Sequence, residues 1–199
     1  MVVAMHGCAQ SAASYDAESG WQLLADRWRF ALLLPQQQSA NNSSSCFNWF
    51  EAGDTARGQG EALSIKQMVD RMIADHGVAP TRVYVTGLSA GGAMTSVMLA
   101  TYPDVFAGGA IVAGLPHRCA TGGFPHKVYK NGSGKALVET YSITGMGHGT
   151  PVDPGTGETQ CGTAGAYLLD VNLCSSYYIG RFFGLDNLDG VPPTARSST

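Results

Sequence analysis

The stretch VYVTGLSAGGAMTSVMLA, residues 83–100, has the pattern of a buried strand, a tight turn and an apolar helix. At its centre, Gly87-Leu88-Ser89-Ala90-Gly91 matches Gly-x-Ser-x-Gly. In this context the pattern is typical of a nucleophile elbow, where a strained turn exposes a serine hydroxyl and the glycines leave room for neighbouring backbone. The alternative is an ordinary strand-to-helix turn, but the strand and helix on either side favour Ser89 as a nucleophile.

Strands and helices alternate on both sides of this stretch. The patterns predict strands at residues 2–5, 31–34, 82–86 and 108–113, and helices at 18–29, 62–76, 92–102 and 175–183. Strands that alternate with helices indicate the α/β class, with a mostly parallel central sheet flanked by helices. After residue 114 the rhythm breaks, and we expect a hairpin of strands 127–129 and 136–143 and then a loop over 145–165.

Length and charge limit the classes of protein to consider. A chain of 199 residues suits one domain, and we find no repeat that would indicate a second. The net charge is -3 and the 12 Lys and Arg residues are scattered, so we expect no nucleic-acid partner and no anionic membrane surface. No apolar run reaches the roughly 18 to 20 residues that cross a bilayer. We therefore expect a small neutral or apolar substrate and a monomeric protein.

A serine hydroxyl needs a base to remove its proton. The chain has five histidines: His6, His76, His117, His126 and His148. His6 and His76 precede the serine, against the order serine, acid, histidine of α/β-hydrolases, and the next two lie in the irregular region. His148 follows a predicted strand within a Gly-rich loop that could carry its ring back over the elbow, so we predict that His148 is the base; the alternative is a surface histidine.

The tetrahedral intermediate of acyl transfer needs two backbone amides to bind its oxyanion. Ala90, the residue after the nucleophile, supplies the first. We predict that Cys8 supplies the second, because His6-Gly7-Cys8 directly follows the strand at residues 2–5. His6 itself is interpreted as structural.

The cysteines indicate two disulfides. The chain has five: Cys8, Cys46, Cys119, Cys161 and Cys174. The first two each follow a strand-like segment and the last two share a polar, Gly-rich stretch, where we predict a disulfide that clamps the loop after His148. Cys119 then has no partner; the alternative is that all five are reduced. The N-terminus lacks the features of a secretion signal, so we expect any signal to have been removed.

With these motifs in hand, the chain resembles the esterase family named for poly(3-hydroxybutyrate) depolymerases, which also includes feruloyl esterase-like members. The resemblance covers nearly the whole chain. It rests on HGCAQS at residues 6–11, CFNWF at 46–50, GLSAGG at 87–92, GMGHGTP at 145–151 and NLC at 172–174. It implies the α/β-hydrolase fold and a carboxylic ester hydrolase that acts on polyhydroxyalkanoates or on short acyl and aryl esters and is usually secreted.

One region departs from the family pattern. Only 21 residues separate positions 114 and 136, where the family would place an excursion, a strand that ends in the triad acid, and a helix. The only carboxylates between the serine and the histidine are Asp104 and Glu139, which we interpret as structural, so the triad acid stays unassigned. The chain also begins at what would be the third strand of the fold. We hypothesise that a segment is absent near residues 121–123, in agreement with the unpaired Cys119.

Two further expectations concern ligands. Trp49 follows the strand at residues 31–34 and should line the acyl or alcohol pocket; the alternative is that it belongs to an aromatic core cluster. The histidines and cysteines show no metal-binding spacing, so we expect neither a metal nor a cofactor. Because the triad acid is missing from the pattern, the competing function is a catalytically impaired hydrolase-fold remnant with a binding role.

Overall fold

A computed structural model describes residues 1–115 and 146–186 of the chain. The strands are β1 (Val2–Met5), β2 (Leu32–Leu33), β3 (Tyr84–Leu88), β4 (Gly108–Val112), β5 (Thr150–Val152) and β6 (Leu168–Asp170). The helices are α1 (Ala12–Ser19), α2 (Trp21–Trp28), α3 (Gly60–His76), α4 (Ala90–Thr101) and α5 (Ser175–Phe182).

Within the described residues, four strands form the central sheet, in the order β2-β1-β3-β4, and every neighbouring pair of these is parallel. Successive side chains of β1 point to opposite faces: Val3 and Met5 join one buried cluster, while Val2 and Ala4 join the other. The first cluster packs beneath α3 and α4, and the second beneath α2 and α5. The predicted parallel sheet with helices on both faces is therefore confirmed.

Two local predictions were wrong. The helix expected over residues 18–29 begins only at Trp21, because Gly20, with a left-handed φ of 81°, separates it from α1, a helix that the sequence did not predict. A Cβ on Gly20 would lie 2.7 Å from Sγ of Cys161, so this glycine also allows a close approach. The loop expected over 145–165 contains β5, which pairs with β6 in a second, parallel sheet. Strands of three residues are too short for hydrophobic alternation to identify.

Both expected disulfides are present, Cys8–Cys46 and Cys161–Cys174. The first joins the turn after β1 to the loop after β2. The second joins the segment between β5 and β6 to the start of α5. Among the described residues, no helix is long and apolar enough to cross a membrane. The predicted hairpin, the absent segment near 121–123, and Cys119, His117, His126 and Glu139 all lie outside the described residues.

Candidate active site

Ser89 sits at a strained turn between β3 and α4, with φ at 55° and ψ at −114°. A positive φ is uncommon for a residue with a side chain and costs roughly 1–3 kcal/mol, so surrounding contacts must hold it. The glycines of the motif make this turn possible. A Cβ on Gly87 would lie 2.4 Å from the carbonyl carbon of Gly91, and one on Gly91 would lie 2.3 Å from the carbonyl oxygen of Met5.

The structure brings His148 to this turn. Its Nε2 lies 2.9 Å from Oγ of Ser89, a hydrogen-bond distance, although 59 residues separate the two in sequence. The serine is half-buried and the histidine is exposed. A proton can thus pass between the two side chains without any movement of the backbone.

The segment that directly follows His148 is anchored to the rest of the structure. The Thr150 amide donates a hydrogen bond of 2.8 Å to the carbonyl oxygen of Tyr167, and the Ser175 hydroxyl donates one of 2.9 Å to that of Pro151. The disulfide between Cys161 and Cys174 closes the same region. Strand β5 and the start of α5 therefore fix where the histidine loop ends.

The two backbone amides predicted to bind an oxyanion are those of Ala90 and Cys8. Ala90 is the first residue of α4, so its amide has no partner within the helix. The turn before Cys8 touches the serine: a Cβ on Gly7 would lie 3.5 Å from Cβ of Ser89. Within residues 1–115 and 146–186, neither the Cys8 nor the Ala90 amide makes a hydrogen bond.

Among the described residues, no carboxylate forms an ion pair or a hydrogen bond with His148. Asp104 is committed elsewhere, because its oxygens accept two hydrogen bonds from Arg57, at 2.6 and 2.8 Å. The guanidinium of Arg57 lowers the pKa of Asp104 to about 2. This exposed ion pair agrees with the interpretation of Asp104 as a structural surface carboxylate. The described chain also holds no cluster of three or more metal-ligating side chains.

His6 is fully buried, which agrees with its interpretation as structural. Its Nδ1 lies 2.7 Å from the Gly7 carbonyl oxygen, and its Nε2 accepts the Gln37 amide at 3.2 Å. Burial lowers the pKa of His6, against the opposing effect of the Gly7 carbonyl. Sequence reasoning missed Gln37, whose backbone amide donates to His6, and Glu61, whose carboxylate binds the Gln37 side chain. Gln37 belongs to a polar stretch that resembles a loop, and nothing in its pattern indicates burial.

Trp49 is half-buried and packs against the cluster beneath α3 and α4. Its ring meets that of Phe50 edge-on, with centroids 5.6 Å apart. Its described contacts do not include Ser89 or His148, so the expected place of Trp49 in the pocket stays a prediction.

Comparison with known proteins agrees with this geometry. The family model described as Esterase PHB depolymerase matches residues 1–134. Poly(3-hydroxyalkanoate) depolymerase C of Paucimonas lemoignei is 50% identical over 262 residues, which cover 93% of this chain and 63% of the relative. Feruloyl esterase B of Talaromyces stipitatus is 39% identical over 123 residues, 61% of this chain and 34% of the relative.

Among solved structures, the acetyl xylan esterase from Aspergillus awamori matches with a TM-score of 0.57 and 29% identity, over 68% of this chain and 45% of that one. The chain spans less than two thirds of the length of these curated relatives. The 262 positions aligned with the depolymerase also exceed the 199 residues of the chain, so the relative has residues within the alignment that have no counterpart here. The sheet, the elbow and the family model lead to one conclusion: the chain has the α/β-hydrolase fold and belongs to the esterase PHB depolymerase family.

Proposed function

We propose that this protein is a serine carboxylic ester hydrolase that works through an acyl-enzyme. The observation that carries the proposal is the 2.9 Å distance between Ser89 Oγ and His148 Nε2 at a strained elbow. Nucleophile and base within hydrogen-bond reach are the arrangement that nucleophilic catalysis requires. Acyl transfer also requires donors for an oxyanion, and the amides of Ala90 and Cys8, which bind no other group within the described part of the chain, are the proposed donors.

The proposed reaction has two halves. His148 Nε2 accepts the hydroxyl proton as Ser89 Oγ attacks the ester carbonyl carbon, and the carbonyl oxygen becomes an oxyanion that the amides of Ala90 and Cys8 bind. The tetrahedral intermediate collapses, the bond to the alcohol oxygen breaks, and the imidazolium returns its proton to that alcohol. A water then attacks the acyl-enzyme in the same way, with the imidazole as base, and releases the acid and the free serine.

The substrate class follows from the family. The matched relatives are named as a poly(3-hydroxyalkanoate) depolymerase and a feruloyl esterase, so the proposed substrates are polyhydroxyalkanoate-type polyesters or short acyl and aryl esters. The two disulfides support an extracellular protein, since such bonds persist in oxidising compartments. No cofactor enters any step, because the serine, the histidine and two amides complete the proton and charge balance.

One observation favours a second candidate, a catalytically impaired remnant that binds esters. No described carboxylate orients His148, whereas the acid of a triad holds the imidazole in the correct tautomer. Loss of the acid does not by itself abolish turnover, because the oxyanion hole and substrate positioning alone leave roughly 10³-fold catalysis over water. The two candidates therefore differ in whether ester turnover is measurable.

Hydrolysis of p-nitrophenyl butyrate tests the proposal. We expect turnover by the unaltered chain, and a loss of several orders of magnitude in kcat for Ser89→Ala and for His148→Ala. Ser64→Ala, an exposed serine on α3, is the matched control and should keep full activity. Turnover that persists in Ser89→Ala would refute the proposal, while saturable ester binding without turnover would favour the binding remnant.

A further inference from the structure

The amide of Cys8 belongs to the peptide group whose other end is the Gly7 carbonyl. A peptide group is planar, so whatever fixes the direction of the carbonyl also fixes the direction of the N–H. The Gly7 amide donates to Gln10 Oε1 at 2.8 Å, which holds the preceding peptide in the same turn. The direction of the Cys8 N–H therefore depends on what the Gly7 carbonyl oxygen binds.

That oxygen accepts a long hydrogen bond from the Gln10 amide, at 3.4 Å, and a shorter contact with His6, at 2.7 Å, and the direction of the His6 bond is determined. Nε2 of His6 faces the Gln37 backbone amide, which can only donate, so Nε2 is the acceptor and Nδ1 carries the proton of the neutral ring. Nδ1 therefore donates to the Gly7 carbonyl oxygen at 2.7 Å. A hydrogen bond to a carbonyl also polarises its peptide group, which strengthens the N–H as a donor.

Gln37 holds the ring in place and is itself held by Glu61. The Gln37 side chain is buried, and its Nε2 donates to Oε1 of Glu61 and, at 3.0 Å, to the Cys46 carbonyl oxygen. The second oxygen of Glu61 accepts the Asn48 amide at 2.7 Å. The Glu61 carboxylate lies in the first turn of α3, where the helix dipole stabilises negative charge.

The same side chains reach Cys8 by a second route. Cys46, whose carbonyl oxygen Gln37 binds, is joined by a disulfide to Cys8. The next amide, that of Ala9, donates to the Ser44 carbonyl oxygen at 2.8 Å. Hence the Gly7–Cys8 peptide is held at one end by the imidazole and at the other by the loop that Gln37 and Glu61 anchor.

We propose that Gln37 and Glu61 are positioning residues that hold, through His6 and Cys46, the Gly7–Cys8 peptide in the orientation that an oxyanion requires. The inference rests on the proposed ester hydrolase function. Neither side chain touches the reacting atoms. Their loss should weaken binding of the tetrahedral state more than binding of the ester, since only the tetrahedral state places a charged oxygen against the Cys8 amide.

Gln37→Met tests this, because methionine has a similar length but no hydrogen-bonding amide. Removal of a whole oxyanion donor lowers kcat about 10²- to 10³-fold, and we expect displacement of the Cys8 amide to lower it roughly 10-fold or more with little change in KM. Butylboronic acid, which forms a tetrahedral adduct with a reactive serine, should lose affinity by a similar factor. Rates are normalised to the fraction of Ser89 that a phosphonate labels, so that only folded protein counts.

Two further variants complete the design. Glu61→Gln keeps the shape of the side chain but loses one acceptor, so it should lower kcat and boronate affinity as Gln37→Met does. If Gln37→Met does not fold, Glu61→Gln alone tests the positioning role. Gln38→Met is the control, since Gln38 is exposed and enters the network only through its backbone amide. Unchanged kcat and boronate affinity in both variants, with an active unaltered chain, would overturn the positioning role alone. An unaltered chain that hydrolyses no ester would overturn the proposed function and this inference with it.

Discussion

At the residue scale, the sequence predicts the place of some side chains in the structure and not of others. Ser89 could be predicted as the elbow serine from its two flanking glycines, because a Cβ at either glycine would collide with neighbouring backbone atoms. The approach of His148 followed from chain order and a Gly-rich loop. By contrast, the burial of Gln37 and Glu61 had no signal in the sequence, since polar residues are predicted to be exposed. Whether such polar residues are buried depends on hydrogen bonds between side chains far apart in sequence, which hydrophobic periodicity cannot reveal.

Trp49 provides the first test at this scale. If its indole lines the pocket, Trp49→Ala should keep its melting temperature while kcat/KM for bulky aryl or long-chain esters falls more than for acetate, because the lost wall contacts only large groups. Phe50→Ala is the matched control, since Phe50 is 53% exposed and meets Trp49 edge-on. Unfolding of Trp49→Ala, or an equal loss for all esters, would assign Trp49 to the core instead.

His6 provides a second test, through pH. Burial lowers its pKa in the folded protein, so on acidification the unfolded chain takes up the proton first, near its ordinary value of about 6.5. The free energy of unfolding should therefore fall as pH drops below that value, until the folded protein also protonates His6. Urea denaturation of His6→Asn should show a shallower decline between pH 6.5 and 5 than the unaltered protein. Equal slopes would mean that His6 is protonated equally in both states.

At the scale of elements, the strands of the central sheet and most of its helices were predictable, whereas elements that depend on contacts between distant segments were not. Helix α3 ends at Gly77, as its left-handed C-cap residue suggests, and β1 has the predicted bounds. Gly20 separates α1 from α2 with its left-handed φ, and it also lies against Cys161, a contact between segments far apart in sequence. Strands β5 and β6 exist because they pair with each other, and a three-residue strand has no independent pattern.

Gly91 tests the packing of the elbow against β1. A Cβ there would lie 2.3 Å from the Met5 carbonyl oxygen and 2.6 Å from that of His6, and neither backbone atom can move without disturbing the sheet. Gly91→Ala should lower the free energy of unfolding by about 1–3 kcal/mol or more, or prevent folding. Gly53→Ala, where the added methyl meets open space, is the control. Urea denaturation compares the two, and an equal effect on stability would contradict this packing.

At the scale of the whole molecule, the open question is the triad acid. The sequence predicted a parallel sheet, an elbow and a histidine loop in the family's order, and it also predicted that residues are absent between positions 114 and 136. The depolymerase relative has residues within its alignment that find no counterpart in this chain. These extra residues are in keeping with the hypothesis of an absent, acid-bearing segment, which would complete the triad around His148.

Intact mass measures this directly. We expect the protein isolated from its natural source to exceed 20.8 kDa and to yield peptides that extend the stretch around residues 121–123. The added segment should contain an aspartate or glutamate whose removal lowers kcat by orders of magnitude with little effect on KM. A mass of 20.8 kDa together with a continuous, well-ordered link across 121–123 would refute the hypothesis.

The central claim is that Ser89 is a nucleophile activated by His148, and covalent labelling tests it most directly. A serine-directed phosphonate forms a stable bond only with an activated hydroxyl, so it reports activation even when turnover is slow. Peptide mass spectrometry after treatment should find one adduct, on Ser89, at a rate that drops sharply in His148→Ala. Labelling on another residue, or labelling of Ser89 at an unchanged rate in His148→Ala, would contradict the claim.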